Sequence, residues 1–255
     1  MATRVLYFIY GCMAYVLFLG TFLYAIAFVG GFAPTGLDGA ATTPFWPALA
    51  INAGLLAVFA VQHSVMARPW FKGWWTQIVP WAIERSTYVL LASLALDLLF
   101  WQWRPLGGLV WSVDQPIMRA VVWTIFAFGW MQVLAMTWYI NHFDLFGLRQ
   151  VWLHLQGRQY TRVSFATPAP YRLVRHPLYL GFVIAFWAAP TMTIAHLVFA
   201  LATTIYIVLA IQFEENDLAR EHGAAYLEYR RSVPMLLPTG TVRSAPPKTG
   251  RSAAV

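Results

Sequence analysis

Charged residues are scarce in this sequence. Asp, Glu, Lys and Arg make up 11% of its 255 residues while 60% are hydrophobic, against roughly a quarter charged in soluble domains. That balance excludes a soluble globular domain, which needs more charge to cover its surface. Cysteine is nearly absent: Cys12 stands alone. An internal disulfide, a thiolate metal cluster and a Cys-based redox pair are therefore excluded, and Cys12 reads as a small apolar packing residue. No pair of His or carboxylate residues has ligand spacing on one helix face, so no metal is expected. Acidic residues are outnumbered ten to seventeen by basic ones, which leaves a net charge of +7.

What the chain has instead is long apolar runs. They approach the length of about 20 residues that crosses a bilayer as helix, and they are continuous rather than alternating, which favours helices over a barrel. The expectation is an all-α, polytopic membrane helix bundle with about six apolar segments: Val5–Val29, Phe45–Met66, Ser86–Trp103, Ile117–Ile140, Leu178–Ala189 and Thr193–Phe213. The first is longer than a signal-peptide core and lacks a clear small-residue cleavage site, so it is read as retained.

Lys and Arg remain preferentially in cytoplasmic loops. An inside N-terminus places there Arg4, then Arg68, Lys72 and Arg85, then Arg149, Arg158, Arg162, Arg172 and Arg175, then Arg220, Arg230, Arg231, Arg243, Lys248 and Arg251. Only Arg104 and Arg119 stay outside, so both termini are expected to be cytoplasmic. The same bias explains the net charge through insertion and anionic lipid, and no nucleic-acid partner is expected. The outer loops, Gly30–Pro44 and Arg104–Pro116, read as plain connections. Trp70, Trp74, Trp75, Trp81, Trp101 and Trp103 read as an interfacial belt contacting membrane lipids. From Val242 onward large apolar residues almost vanish, and a disordered tail is expected.

Chemistry concentrates in the last third. Tyr171-Arg-Leu-Val-Arg175-His176-Pro177-Leu-Tyr179-Leu-Gly181 precedes the fifth apolar segment, Glu214-Glu215-Asn-Asp-Leu218 follows the sixth, and Ala189-Pro190-Thr191 breaks the run between them. This predicts a tight helical hairpin that returns to the side it left, bringing Arg175, His176 and Tyr179 near Glu214 and Glu215. The outgoing helix is much the shorter, so the site is expected to lie sunk below the membrane surface, where ionisable groups tend to be functional. Pro177 suits the first helical position, with His176 as cap and free N–H groups facing an anion. Glu214 and Glu215 suit ribose hydroxyls or a cation. Taken singly, each of these residues reads first as an interface anchor.

The whole pattern, continued by Gly223, Tyr226, Tyr229 and Val233-Pro234, resembles the C-terminal core of the isoprenylcysteine carboxyl methyltransferase and phospholipid methyltransferase superfamily. That resemblance implies S-adenosyl-L-methionine as cofactor, with contacts at Tyr171, Arg175, His176, Tyr179, Glu214 and Glu215. His222 departs from relatives that carry Phe there. It also implies an organisation of four N-terminal membrane helices over 1–140, a methyltransferase core over 141–241 and the tail over 242–255.

Gln62-His63-Ser64-Val-Met66, Glu84-Arg85-Ser86-Thr87-Tyr88, Trp101-Gln-Trp-Arg104-Pro and Asn141-His142-Phe-Asp144-Leu-Phe146-Gly147-Leu-Arg149-Gln150 extend the likeness over nearly the full chain. Together they resemble the bacterial methanethiol S-methyltransferases, which make dimethyl sulfide; nitrite-and-nitric-oxide-associated membrane proteins share the early segments. The implied partner is a small apolar thiol, and nothing in the sequence sets the oligomeric state. A thiol must lose its proton before it attacks well. His142, oriented by Asp144, is the first candidate for that task, with His63 a second pocket residue and Arg149 or Arg175 as electrostatic stabilisers. Their plain alternatives are a helix-end cap for His142, a core hydrogen bond for His63 and an Arg pair for Asp144. Rival readings are a lipid or prenylcysteine acceptor, a sterol-type NADPH-dependent reductase, for which no 2′-phosphate anchor is visible, and a non-enzymatic membrane protein.

Overall fold

The computed structural model describes residues 1–161 and 167–238; Arg162 and the tail expected from Val242 lie outside them. The first helix, α1 (Ala2–Gly30), stops where Gly31 takes φ 72° and returns its N–H to Ala27 and Phe28, a left-handed turn that glycine adopts without a Cβ clash. Two helices follow, α2 (Phe45–Ala67) and the short α3 (Pro69–Trp75), the latter opened by its proline. Next come α4 (Trp81–Gln102), the strand β1 (Leu109–Ser112) and α5 (Pro116–Ile140). Two short helices, α6 (His142–Leu145) and α7 (Leu148–Leu155), lead through a 3-10 turn at Ala169–Arg172 to α8 (Pro177–Trp187). The strand β2 (Thr191–Thr193), then α9 (Ile194–His222) and α10 (Ala224–Ser232), complete the fold.

Four of these helices, α1, α2, α5 and α9, are long and apolar enough to cross a membrane. Their outward faces carry exposed Leu6, Val16, Val58, Phe128, Met131, Ile205 and Leu209. Water does not tolerate so continuous an apolar surface, so lipid covers it. The expected segment at Ser86–Trp103 lies inside α4, which has the length, but Glu84, Arg85 and Asp97 hold it below the apolarity of the other four. The expected segment at Leu178–Ala189 is α8, whose 11 residues rise only about 16 Å.

Between lipid-covered helices the hydrophobic effect contributes little, so close packing must hold them together. The tightest contact is between α5 and α8. A Cβ added at Gly129 would stand 2.7 Å from the Ala185 nitrogen, and one at Gly181 2.9 Å from the Gly129 carbonyl oxygen, so the two backbones touch. Aromatic rings fill the interior, among them Phe28, Phe100, Trp103, Phe126, Trp130, Phe186 and Phe199.

One expectation needs correction: the described residues are not all helical. β1 pairs antiparallel with β2, Trp111 opposite Met192 and Ser112 opposite Thr191, so the outer connections do more than connect. Strands of four and three residues are too short for any periodicity to reveal. The ribbon clamps the break between α8 and α9, helped by Trp111 Nε1 donating to the Ala189 carbonyl at 3.1 Å. Beside it the buried His196 ring lies between Asp38 and the Phe186 carbonyl, at 3.1 and 3.0 Å.

Candidate functional site

Glu215 is the centre from which the site is built. It sits on α9, about six turns past Thr193, with 1% of its side chain exposed, and its Oε1 accepts from Arg175 Nε at 2.7 Å and His176 Nε2 at 3.0 Å. Arg230 Nε, on α10, stands 3.1 Å from Oε2. Three cationic or proton-donating groups from three segments thus converge on one carboxylate, as a charge buried this deeply requires.

The returning chain completes the frame. The backbone N–H groups of Arg175 and His176 donate to the Pro234 and Met235 carbonyls at 2.8 and 3.1 Å, and Arg175 Nη1 donates to the Arg230 and Val233 carbonyls. Pro177 opens α8 as expected, and His176 is the residue before it, but the imidazole makes no capping bond. It turns to Glu215 instead.

The two glutamates differ in availability. Glu215 is closed off by protein, whereas the Glu214 side chain is 42% exposed and accepts from the Tyr179 hydroxyl at 2.9 Å. Tyr171 sits near it: its hydroxyl is buried with no hydrogen-bond partner among the described residues, and burial followed by the Glu214 charge pushes its ionisation well above the usual phenol range. Tyr229 holds that loop by donating to the Tyr171 carbonyl at 2.6 Å. A buried hydroxyl without a partner beside a half-open carboxylate is what a hydroxyl-bearing ligand would satisfy. The six residues expected around the cofactor therefore lie together, with Glu215 holding Arg175 and His176, Tyr179 bonded to Glu214, and Tyr229 holding Tyr171.

The first candidate base is arranged differently. His142 does not touch Asp144; its Nδ1 faces Thr137 Oγ1 at 2.8 Å and its Nε2 faces the Tyr15 hydroxyl at 2.7 Å. Thr137 spends its own proton on the Leu134 carbonyl at 2.6 Å, so Oγ1 must accept and His142 carries its proton on Nδ1. The Nε2 lone pair is then capped by Tyr15. Asp144 pairs instead with Arg149 at 2.9 Å and accepts from Tyr160 at 3.1 Å, which is the plain alternative for that residue. Residues two apart on a short helix do not face each other, so the sequence spacing could not make this pair.

Burial lowers the His142 pKa below the usual imidazole value of about 6.5. The folded protein consequently binds this proton less readily than the unfolded chain, and its stability is full above about pH 6.5 and falls as the pH drops below it. Melting in detergent is expected to show a Tm that declines on acidification, and His142→Asn is expected to shrink that decline; an unchanged slope would show the acid sensitivity to lie elsewhere.

His63 keeps different company. The Tyr88 hydroxyl is 3.0 Å from each of its ring nitrogens, Ser64 meets Tyr206 at 3.1 Å, and Arg68 binds Asp217 at 2.7 Å. Tyr88, Tyr206 and Arg230 were not singled out from the sequence. Tyr88 closes one of the segments shared with relatives, which was a usable signal; Arg230 follows Tyr229 in a basic stretch that insertion already explains.

Methanethiol S-methyltransferase from Crocosphaera subtropica is 52% identical over 92% of this chain and 93% of its own length. The Mycobacterium tuberculosis protein of the same name is 55% identical over 92% and 97%. This chain belongs to the methanethiol S-methyltransferase family. Nurim from Sus scrofa is a more distant relative, 30% identical over 67% of this chain and 68% of its own. No family model matches the chain, and no solved structure does.

Two glycines in the segments that mark this methanethiol S-methyltransferase family member have physical reasons. Gly181 is where α8 meets the α5 backbone. Gly147 takes φ 86°, and a Cβ there would lie 2.7 Å from the Ser86 nitrogen, so both its conformation and its surroundings demand glycine.

Proposed function

We propose that this protein transfers a methyl group from S-adenosyl-L-methionine to methanethiol, releasing dimethyl sulfide. The observation that carries the reading is the half-identity to methanethiol S-methyltransferases over more than nine-tenths of the chain. The exposed Glu214 carboxylate beside the unpartnered Tyr171 hydroxyl supports the choice of donor. In this reading Glu214 and Tyr171 hold the nucleoside hydroxyls, and the start of α8 with Arg175 faces the donor's carboxylate. Tyr179 fixes Glu214, while Glu215 keeps Arg175 and His176 aimed. When bound, S-adenosyl-L-methionine supplies an electrophilic methyl group for in-line displacement, so the chain's own tasks are alignment and exclusion of water.

The wider organisation follows the same reading. Six segments cross or enter the bilayer, α8 and α9 forming a hairpin that opens to the cytoplasm. Residues 1–140 scaffold the core at 141–241, and both termini are cytoplasmic in a bacterial inner membrane. The shortness of α8 leaves the donor site below the headgroups, where an apolar thiol dissolved in lipid reaches it from the side.

Purified protein given methanethiol and S-adenosyl-L-methionine is expected to release dimethyl sulfide into the headspace. Methylated lipid with no dimethyl sulfide would replace the proposed acceptor. Tyr171→Phe and Glu214→Gln each remove one hydrogen bond to the donor, worth about 1.5–3 kcal/mol when a charged group is involved. Calorimetry is therefore expected to show about tenfold weaker binding or more for Glu214→Gln and a smaller loss for Tyr171→Phe; undiminished affinity in both would remove the donor assignment.

A further inference from the structure

The proposed reaction requires that a thiol lose its proton, and the candidate first expected to take it, His142, lacks its expected carboxylate and is held at both nitrogens by two different side chains, Thr137 and Tyr15. A second Tyr–His pair lies elsewhere, on α2 and α4. We infer that the thiol proton leaves through the Tyr88 hydroxyl to the His63 imidazole. This rests on the proposed methyl transfer and assigns its proton acceptor.

Three observations converge on the pair. Its position comes first. The pair joins α4 to α2, Ser64 of α2 meets Tyr206 of α9 at 3.1 Å, and Glu214, about two turns further along α9, accepts from Tyr179 of α8 at 2.9 Å, so a chain of polar side chains on α2, α4, α8 and α9 leads to the proposed donor site. The second is the surroundings. Tyr88 is packed with Met66 and Val89 against Phe18 and Phe146, and the latter two rings stack at 3.9 Å between centroids. An apolar wall carrying one hydroxyl suits a small apolar thiol, which offers a single proton and a soft methyl surface.

The third is that the pair is unencumbered. Tyr88 is the only side chain in hydrogen-bonding reach of the His63 ring among the described residues, so the imidazole keeps a lone pair for a proton, and its face rests on Phe59 at 5.2 Å. The charged and titratable groups acting on the pair are Arg85 and Glu84 of α4, Arg68 beyond α2 and Tyr206 of α9. The Arg85 guanidinium lies 5.6 Å from the Tyr88 ring centre. The two arginines favour the negative charge that develops on sulfur as its proton leaves.

The step balances. The S–H bond breaks with its electron pair left on sulfur, its proton goes to the Tyr88 oxygen, and the Tyr88 proton passes to a His63 nitrogen. The sulfur pair then forms the new S–C bond as the donor's methyl–sulfonium bond breaks and that pair returns to the donor sulfur.

His63→Asn and Tyr88→Phe test this in the purified full chain. General-base losses run to about 100-fold or more, so each variant is expected to lower kcat for methanethiol by about that factor near neutral pH. Affinity for S-adenosyl-L-methionine should stay within about twofold, and the deficit should shrink as the pH is raised and the thiol ionises unaided. A readout free of turnover comes from 15N-histidine NMR of the cofactor-free protein. There Tyr88→Phe, which preserves the ring packing, is expected to move the His63 nitrogen resonances. The route is overturned if His63→Asn keeps the wild-type rate, if the deficit is flat with pH, or if His142→Asn alone removes the pH dependence. Wild-type protein that makes no dimethyl sulfide would instead overturn the proposed acceptor.

Discussion

Replacing Glu215 with alanine is expected to abolish S-adenosyl-L-methionine binding and to lower the melting temperature in the same protein. The carboxylate is 1% exposed and takes Arg175, His176 and Arg230 together. Removing one partner of a buried pair costs about 3–5 kcal/mol, because the remaining charge is left without compensation. Arg175 and His176 begin the turn that opens α8, so their release disturbs the donor site as well as the fold. Glu215→Gln separates the two effects: its amide keeps one acceptor for Arg175 but forfeits the charge, and an intermediate melting temperature with strongly weakened binding is expected. Calorimetry and thermal melts in one detergent check both. Glu215→Ala with native affinity would show that the carboxylate does not organise the site.

The second large effect is expected at the contact between α5 and α8. Gly129→Ala places a methyl group 2.7 Å from the Ala185 nitrogen and 2.9 Å from the Gly181 oxygen, and both obstacles are backbone. A side chain can swing aside; two helix backbones must separate. Overpacking of this kind costs about 1–3 kcal/mol, and α8 is only 11 residues long, so the separation is passed directly to His176 and Tyr179 at its start. The variant is expected to melt lower and to lose most of its methyl transfer. Gly20→Ala on α1, where a Cβ meets nothing within 4 Å, is the matched control. Equal behaviour of the two variants would show that the close approach is not needed.

Much of this architecture was legible from the residues. The apolar runs mark α1, α2, α5 and α9 because hydrocarbon demands length and continuity, which survive in a one-dimensional pattern. The meeting of Tyr179 with Glu214 and of His176 with Glu215 was readable because a Pro-Thr break between two apolar segments leaves the chain few ways to run. The ribbon of β1 and β2 was not readable, since seven residues carry no period and its partner strands are separated by the whole of α5 and α8. The difference between Glu214 and Glu215 was hidden as well. Adjacent residues on a helix point about 100° apart, so one enters the protein and the other faces out, and only coordinates tell which. His142 misled for a related reason: it neighbours Asp144 in the chain, while its actual partners are on α1 and in the last turn of α5.

The backbone bonds from Arg175 and His176 to Pro234 and Met235 tie the start of α8 to chain that lies beyond α10. None of the four membrane-length helices supplies either side of this clasp. A protein clipped between Ser232 and Pro234 is therefore expected to keep its helical bundle while losing the strap on its most polar corner.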